Sequence, residues 1–413
     1  MLRSIGWLYA EAFRGLPADV WRLCVGLLIN RAGTMVMPFL SLYLVRQLGY
    51  ETAAASMVLL AFGLGSVAGS YLGGDLSGRV GTVRVQVGSL VLAGATFLLI
   101  TQLQAFVPMV AACFLAGAIN DAYRPACMAA VAEAASPDVR TRAMGLMRLA
   151  ANGGIAIGPA VGGLLAGIDY SLIFVGEGLT CWVAAVWLAR ALGGREIRVA
   201  EARTEQTAAR GPSPWRDGPL MALMGLTFLT ALVLFQAFYT LPLFFTSDYG
   251  LNERQVGLTF AFNGLMIVVF EMVLIKRLEH LNAAHIVGLG MFLMCGGFGL
   301  LPFGHGLGYA LFTVAIWTLG EMLAFPFSNV LVAHRAAPGR TAQAMGIYSA
   351  MFSIAMVLAP AIGLPMLDRY GGDVLWTACG MVSLPAWILM ALLARSMGRT
   401  ASRAASSQGA IRS

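Results

Sequence analysis

AMGLMRLAANGGIAIGPAVGGLLAG, Ala143 to Gly167, is a 25-residue run whose one charge, Arg148, stands near its start. A helix rises 1.5 Å per residue, so about 20 apolar residues cross a hydrocarbon core of about 30 Å, and the run reads as a membrane span. Its pattern returns 201 positions on. Without a gap, Ala143, Met144 and Gly145 fall on Ala344, Met345 and Gly346, and Pro159, Ala160 and Gly162 fall on Pro360, Ala361 and Gly363. Upstream, Pro125 falls on Pro326, Val131 on Val332, Ala135 on Ala336 and Pro137 on Pro338. Alanine and glycine matches are cheap in a membrane protein, but three prolines and an AMG in one register are not. The chain reads as two homologous halves.

Working outward, eleven further apolar blocks appear, near Val20 to Val45, Thr52 to Gly73, Val85 to Leu103, Val107 to Ala132, Leu172 to Ala191, Pro219 to Phe245, Val256 to Ile275, Ile286 to Leu301, Leu307 to Ala333, Ala344 to Leu367 and Val374 to Ala394. Of the 413 residues 59% are hydrophobic and 11% charged, against roughly 25% charged in a soluble domain, so a bilayer is the solvent. The expected fold is all-α: an integral membrane protein of twelve transmembrane helices in two pseudo-symmetric six-helix bundles. Residues 1–193 form the first bundle, a cytoplasmic linker covers 194–218, residues 219–395 form the second bundle, and 396–413 are a cytoplasmic tail. Parallel repeats of this kind suit two bundles rocking about a central site.

Cationic residues in short loops mark the cytoplasmic side. Twenty-two of the Lys and Arg residues fall on one side and only Arg46, Arg254 and Arg369 on the other, which places both termini in the cytoplasm and demands an even number of spans. The net charge of +7 is spread over successive loops without aromatic interleaving, so it signals topology and not nucleic-acid binding. Six cysteines, Cys24, Cys113, Cys127, Cys181, Cys295 and Cys379, lie inside spans without metal-ligand spacing and predict neither disulfides nor a metal. The N-terminus, with Glu11 and no small-residue cleavage site, does not read as a removable signal. No phosphate loop and no nucleophile beside a base are found, so neither an enzyme nor a cofactor is expected.

In the fifth block Gly145, Gly154, Gly158, Pro159, Gly162 and Gly163 stand at spacings that let backbones approach closely, while Pro159 loosens the local hydrogen-bond ladder. Generic small-residue packing explains any one of these glycines but not the set. The chain here resembles the major facilitator superfamily, and the set resembles the antiporter motif of its twelve-helix drug:proton branch. GDLSGRVGTVR, Gly74 to Arg84, is similar to the family's loop motif, with Gly74, Leu76, Arg79, Gly81 and Arg84 in place. Gly78 replaces the usual aspartate and Thr82 the usual basic residue; Asp75, three residues earlier on roughly the same helical face, is the candidate substitute for the missing acid. WTLGEMLAFP, Trp317 to Pro326, resembles a segment whose acid takes part in proton coupling in some multidrug members.

Ionisable residues at mid-membrane are costly and are candidates for function. Arg31, Asp121, Arg124, Glu177, Glu271 and Glu321 stand in the blocks. The resemblance implies that the first, fourth, seventh and tenth spans line a cavity, which would put Arg31, Asp121, Arg124 and Glu321 on it. Glu321, with no lysine or arginine within a turn in the sequence, and Asp121 are the proton-coupling candidates; Asp121 with Arg124 or Arg31 also reads as a neutralised structural pair. Arg31, Arg124, Asn30, Gln236, Tyr239 and Trp317 are the substrate-cavity candidates; Asn263 offers similar chemistry, and ordinary helix packing accounts for these polar and aromatic residues equally well. Glu177 reads as an acceptor for a neighbouring helix end, and Glu271 as an interfacial ion-pair partner of Lys276 or Arg277. The resulting expectation is a monomeric, multi-pass inner-membrane transporter that exports apolar or amphipathic small molecules in exchange for protons. A proton-linked symporter of a nutrient, peptide or organic anion is the alternative.

Overall fold

The computed structural model describes residues 13–136, 138–193, 213–337 and 340–395. Most of the expected linker (194–212), the tail 396–413, and Pro137 and Pro338 of the repeat lie outside the described residues, as does Glu11. Every described element is helical, as it must be where no water is present to satisfy backbone groups. In order they are α1 (Ala18–Ala32), α2 (Val36–Leu42), a π-helical turn (Tyr43–Gln47), α3 (Thr52–Val80), α4 (Thr82–Ile100), α5 (Phe106–Ala134), α6 (Arg140–Ala166) and α7 (Ser171–Leu192). Then follow α8 (Gly218–Tyr239), α9 (Leu241–Ser247), α10 (Glu253–Leu278), α11 (Ala283–Gly299), α12 (Gly306–Arg335) and α13 (Thr341–Met381), with further helix at 383–395.

Ten helical stretches among the described residues are long and apolar enough to cross a membrane. Two expected spans do not stand out separately by this measure. The ninth block forms α11, apolar but only 17 residues long. The last two blocks run on as one helical stretch, Gln343–Arg395, interrupted at Gly371, where φ is 79° and ψ 169°. That backbone conformation is open to glycine and strained for other residues, so the break belongs to the sequence.

The described residues form two compact units. The first takes those up to residue 193 together with Leu251–Val268, the opening part of α10; the second takes 213–250 and those from Val269 on. In the first unit, Gly65, Gly69 and Gly73 on α3 lie against the carbonyls of Phe114, Ala118 and Ala122 on α5, too close for any side chain. This is a small-residue stripe at i, i+4, i+8, the usual way to bring two membrane helices together when lipid offers no hydrophobic drive between them. In the second unit Gly290 and Gly297 on α11 do the same against Ala324 and Trp317 on α12.

The first span is not one helix. Gly33 and Thr34 turn back to the carbonyls of Asn30 and Arg31, and the chain restarts at Val36 with Pro38, which has no N–H to leave unsatisfied, in the first turn of α2. The seventh span breaks likewise at Thr240, with Pro242 opening α9.

Candidate functional site

The glycines of α6 serve two neighbours. Gly154 faces the backbone of Arg31 and Ala32; a Cβ on Gly158 would stand 2.7 Å from the Thr34 carbonyl oxygen, and one on Gly162 3.0 Å from Met35 Cβ. These three therefore seat the break between α1 and α2. Gly163 looks the other way, where a Cβ would meet the Glu253 carbonyl at 2.5 Å and Gly257 Cα at 3.0 Å, and Gly257 in turn lies against the Pro159 carbonyl. Gly145 is different: its nearest neighbour is Phe13, at 3.9 Å. Five of the six motif positions thus sit where backbone meets backbone.

The break that these glycines seat leaves the amides of Met35 and Val36 without upstream carbonyls. Glu177 on α7 supplies the acceptor: its Oε2 takes hydrogen bonds from Met35 N at 3.0 Å and Val36 N at 2.6 Å, and the side chain is 5% exposed. A carboxylate at the N-terminus of a half-helix is also favoured by the helix dipole. Near it the fold places Arg31 and Asp121, and beside these two Arg124. Arg31 and Asp121 lie within electrostatic reach of both Arg124 and Glu177. Two guanidinium groups and two carboxylates leave the group formally neutral. Arg31 and Asp121 are half-buried and Arg124 is accessible, so the cations can meet a ligand while the acids offset their charge. Asn30 is buried and donates to Cys181 Sγ at 3.7 Å.

In the second unit the cavity candidates are packed. Gln236 is 3% exposed; its Nε2 donates to the Ala359 carbonyl at 3.0 Å and its Oε1 accepts from Thr240 Oγ1 at 2.6 Å. Tyr239 is fully buried. Trp317 stacks on Phe298 with ring centroids 5.2 Å apart, and Phe298 stacks on Trp376 in turn at 5.8 Å. Glu321, one turn along α12 from Trp317 and on the same face, is half-buried, and Glu271 is buried; Asn263, on the part of α10 that belongs to the first unit, is buried too.

In the loop motif, Asp75 pairs with Arg79 at 3.0 Å along α3, both exposed. Gly81 joins α3 to α4 with φ 101°, which accounts for a glycine at that position; Gly74 and Arg84 are exposed.

Three features were not singled out in the sequence. Tyr170 donates to Glu253 Oε1 at 2.6 Å, and Arg46 lies 3.6 Å from the same oxygen, so two residues distant in sequence hold the start of α10. Burial first, and then the bond to Glu253, push the Tyr170 phenol well above its ordinary range. Asp217 caps α8 by accepting from Leu220 N at 3.1 Å and also takes two bonds from Arg335, at 3.1 and 2.9 Å. Glu133, one residue beyond the end of the fourth block, is still inside α5 with both carboxyl oxygens buried. A charge next to an apolar block was the available signal.

Comparison with known proteins gives the arrangement its family. The model of the Major Facilitator Superfamily matches residues 23–360. Multidrug resistance protein MdtH of Aeromonas hydrophila is 26% identical over 340 residues, 79% of this chain and 82% of its own. The uncharacterized MFS-type transporter YttB of Bacillus subtilis is 22% identical over 365 residues, 86% and 90% of the two chains. Among solved structures, a POT family transporter in complex with 5-aminolevulinic acid superposes with a TM-score of 0.78 at 14% identity, covering 93% of this chain and 97% of that one, a likeness of fold. The chain is a multi-pass membrane transporter and belongs to the Major Facilitator Superfamily.

Proposed function

We propose that the protein is a proton-coupled exporter of apolar or amphipathic small molecules, working by alternating access of two six-helix bundles. On this reading α11 and the two arms either side of Gly371 count as spans, giving twelve, with 1–193 and 219–395 as the bundles, 194–218 as linker and 396–413 as tail. Both termini are cytoplasmic, the membrane is the bacterial inner membrane, and the working form is a monomer. The observation that carries the proposal is the seating of the α1–α2 break and of α10 on the α6 glycines. A helix that touches its neighbours through bare backbone can slide on them without side chains interlocking, which suits a moving joint. The name of the MdtH relative supports a drug-type substrate.

Glu321 carries the proton, with Asp121 as the second candidate. Proton and cationic substrate then compete for one carboxylate, and exchange follows. Everted membrane vesicles given a pH jump test this: uptake of an amphipathic cation should follow the imposed gradient in the wild type and lose its pH dependence in Glu321→Gln. Unchanged proton-driven uptake in that variant removes Glu321 from the mechanism.

The pair of half-buried Arg31 and accessible Arg124 beside Asp121 favours a second reading, a symporter in which they hold a substrate carboxylate. The direction of flux in the same vesicles decides: proton and solute moving together favours the symporter, and opposed movement the exporter.

A further inference from the structure

The inner end of α5 holds a carboxyl that the mechanism above does not employ. Both side-chain oxygens of Glu133 are buried, and neither has a hydrogen-bond partner among the described residues. The residue as a whole is half-buried, so an ionised carboxylate there would be partly desolvated and without a bonded donor, a cost that the protonated acid avoids. No hydrogen bond reaches it from the neighbouring charges among the described residues. α5 packs against α3, α4, α1 and α6. On α3 Asp75 pairs with Arg79, and on α1 Asp19 pairs with Arg22. Arg142 on α6 donates to the Arg14 carbonyl, Asp138 is exposed and takes its hydrogen bonds from Ser136 and its own backbone, and Arg84 on α4 and Arg148 on α6 have interactions of their own. Arg140 remains. Its Nε donates at 3.0 Å to the carbonyl of Ala132, the residue immediately before Glu133. A guanidinium is thus tethered one residue from a buried acid with which it does not pair.

We propose that Glu133 is a proton-binding site of this protein, and that the proton and the Arg140 guanidinium are its alternative partners. With the proton on, Arg140 rests on the Ala132 carbonyl. When the carboxyl releases its proton to water at that membrane face, the guanidinium leaves the carbonyl and pairs with the carboxylate. Arg140 is the first residue of α6, so the exchange acts on the helix whose glycines seat α1, α2 and α10. The second half lacks the device: 201 positions on, Glu133 falls on His334 and Arg140 on Thr341. Binding of the proton stands on this geometry alone; its use in transport rests on the proton-coupled reading above.

Difference infrared spectroscopy of the purified full-length protein between acid and alkaline pH reads the carbonyl stretch of a protonated carboxylic acid directly. The wild type should show a band that Glu133→Gln abolishes and that in Arg140→Gln persists to a pH higher by about 1–3 units. An E133Q difference spectrum that superimposes on the wild type overturns the site, and loss of the band in E133Q with an unmoved titration in R140Q overturns the exchange. If E133Q does not fold, R140Q carries the test, because its side chain is at the surface and the acid is intact: a shifted band supports the exchange and an unshifted one overturns it. The spectrum reports the proton whether or not transport consumes it. Proton-independent transport with the band in place would therefore sink the coupling assigned to Glu321 and leave this site standing.

Discussion

A carboxylate sealed among helices persists where donors answer its charge, and Glu177 is answered by two amides that a broken helix leaves over. Removing the acceptor strands both amides in a buried place. Glu177→Ala should therefore cost on the order of 2–4 kcal/mol, whereas Glu177→Gln keeps an acceptor oxygen and should cost under about 2 kcal/mol. Unfolding in detergent separates the two; equal stability of the variants would mean that the amides are served by something else. Tyr170 gives a pH effect of known sign. Its phenol titrates above the ordinary tyrosine value of about 10, because burial and the Glu253 carboxylate both favour the neutral form. The folded state then holds its proton longer than the unfolded chain, so the contribution is fully present below that ordinary value and is lost as pH climbs through the raised one. Melting temperatures on the alkaline side should fall more steeply in the wild type than in Tyr170→Phe, and parallel slopes would contradict the assignment.

At the scale of elements, the spacing of the α6 glycines was legible in the sequence while their partners were not. Five motif positions meet backbone and one does not, a difference that no spacing reveals. Gly158→Ala places a methyl 2.7 Å from the Thr34 carbonyl and should cost about 1–3 kcal/mol, since a backbone atom cannot swing aside. Gly145→Ala, with 3.9 Å of room, should stay within about 0.5 kcal/mol. Comparable gains in thermal stability for both, as the higher helix propensity of alanine alone would give, would show that close approach at Gly158 carries nothing. The break between α1 and α2 was invisible for a different reason: hydropathy runs unbroken from Val20 to Val45, and the interruption is in hydrogen bonding, repaired by a residue more than a hundred positions away. Gln236 shows the converse. Its polarity inside an apolar block suggested a ligand contact, yet its two ends are occupied by Ala359 and Thr240, which a linear pattern cannot display.

For the whole molecule, composition and block length carried the reading of a helical membrane protein, because the bilayer leaves the backbone few other choices. Counting is harder. α11 is short, and Gln343–Arg395 counts as one stretch despite the break at Gly371, so length alone gives ten among the described residues. Charge supplies an independent count. The proposed topology, which puts twenty-two Lys and Arg residues on one side and three on the other, places both ends on one face, and the number of crossings is then even. A cysteine introduced near the N-terminus and another in the tail after Arg395, each in a background lacking the six native cysteines, should both resist a membrane-impermeant thiol reagent in intact cells and both react in everted vesicles. A third, beside Arg369 near the Gly371 break, should behave the opposite way. If that position labels with the two ends, the break does not separate two spans and the count of twelve fails, although ends on one face still require an even number. If the two ends label on opposite faces, the charge partition has been misread, and the six-and-six division goes with it.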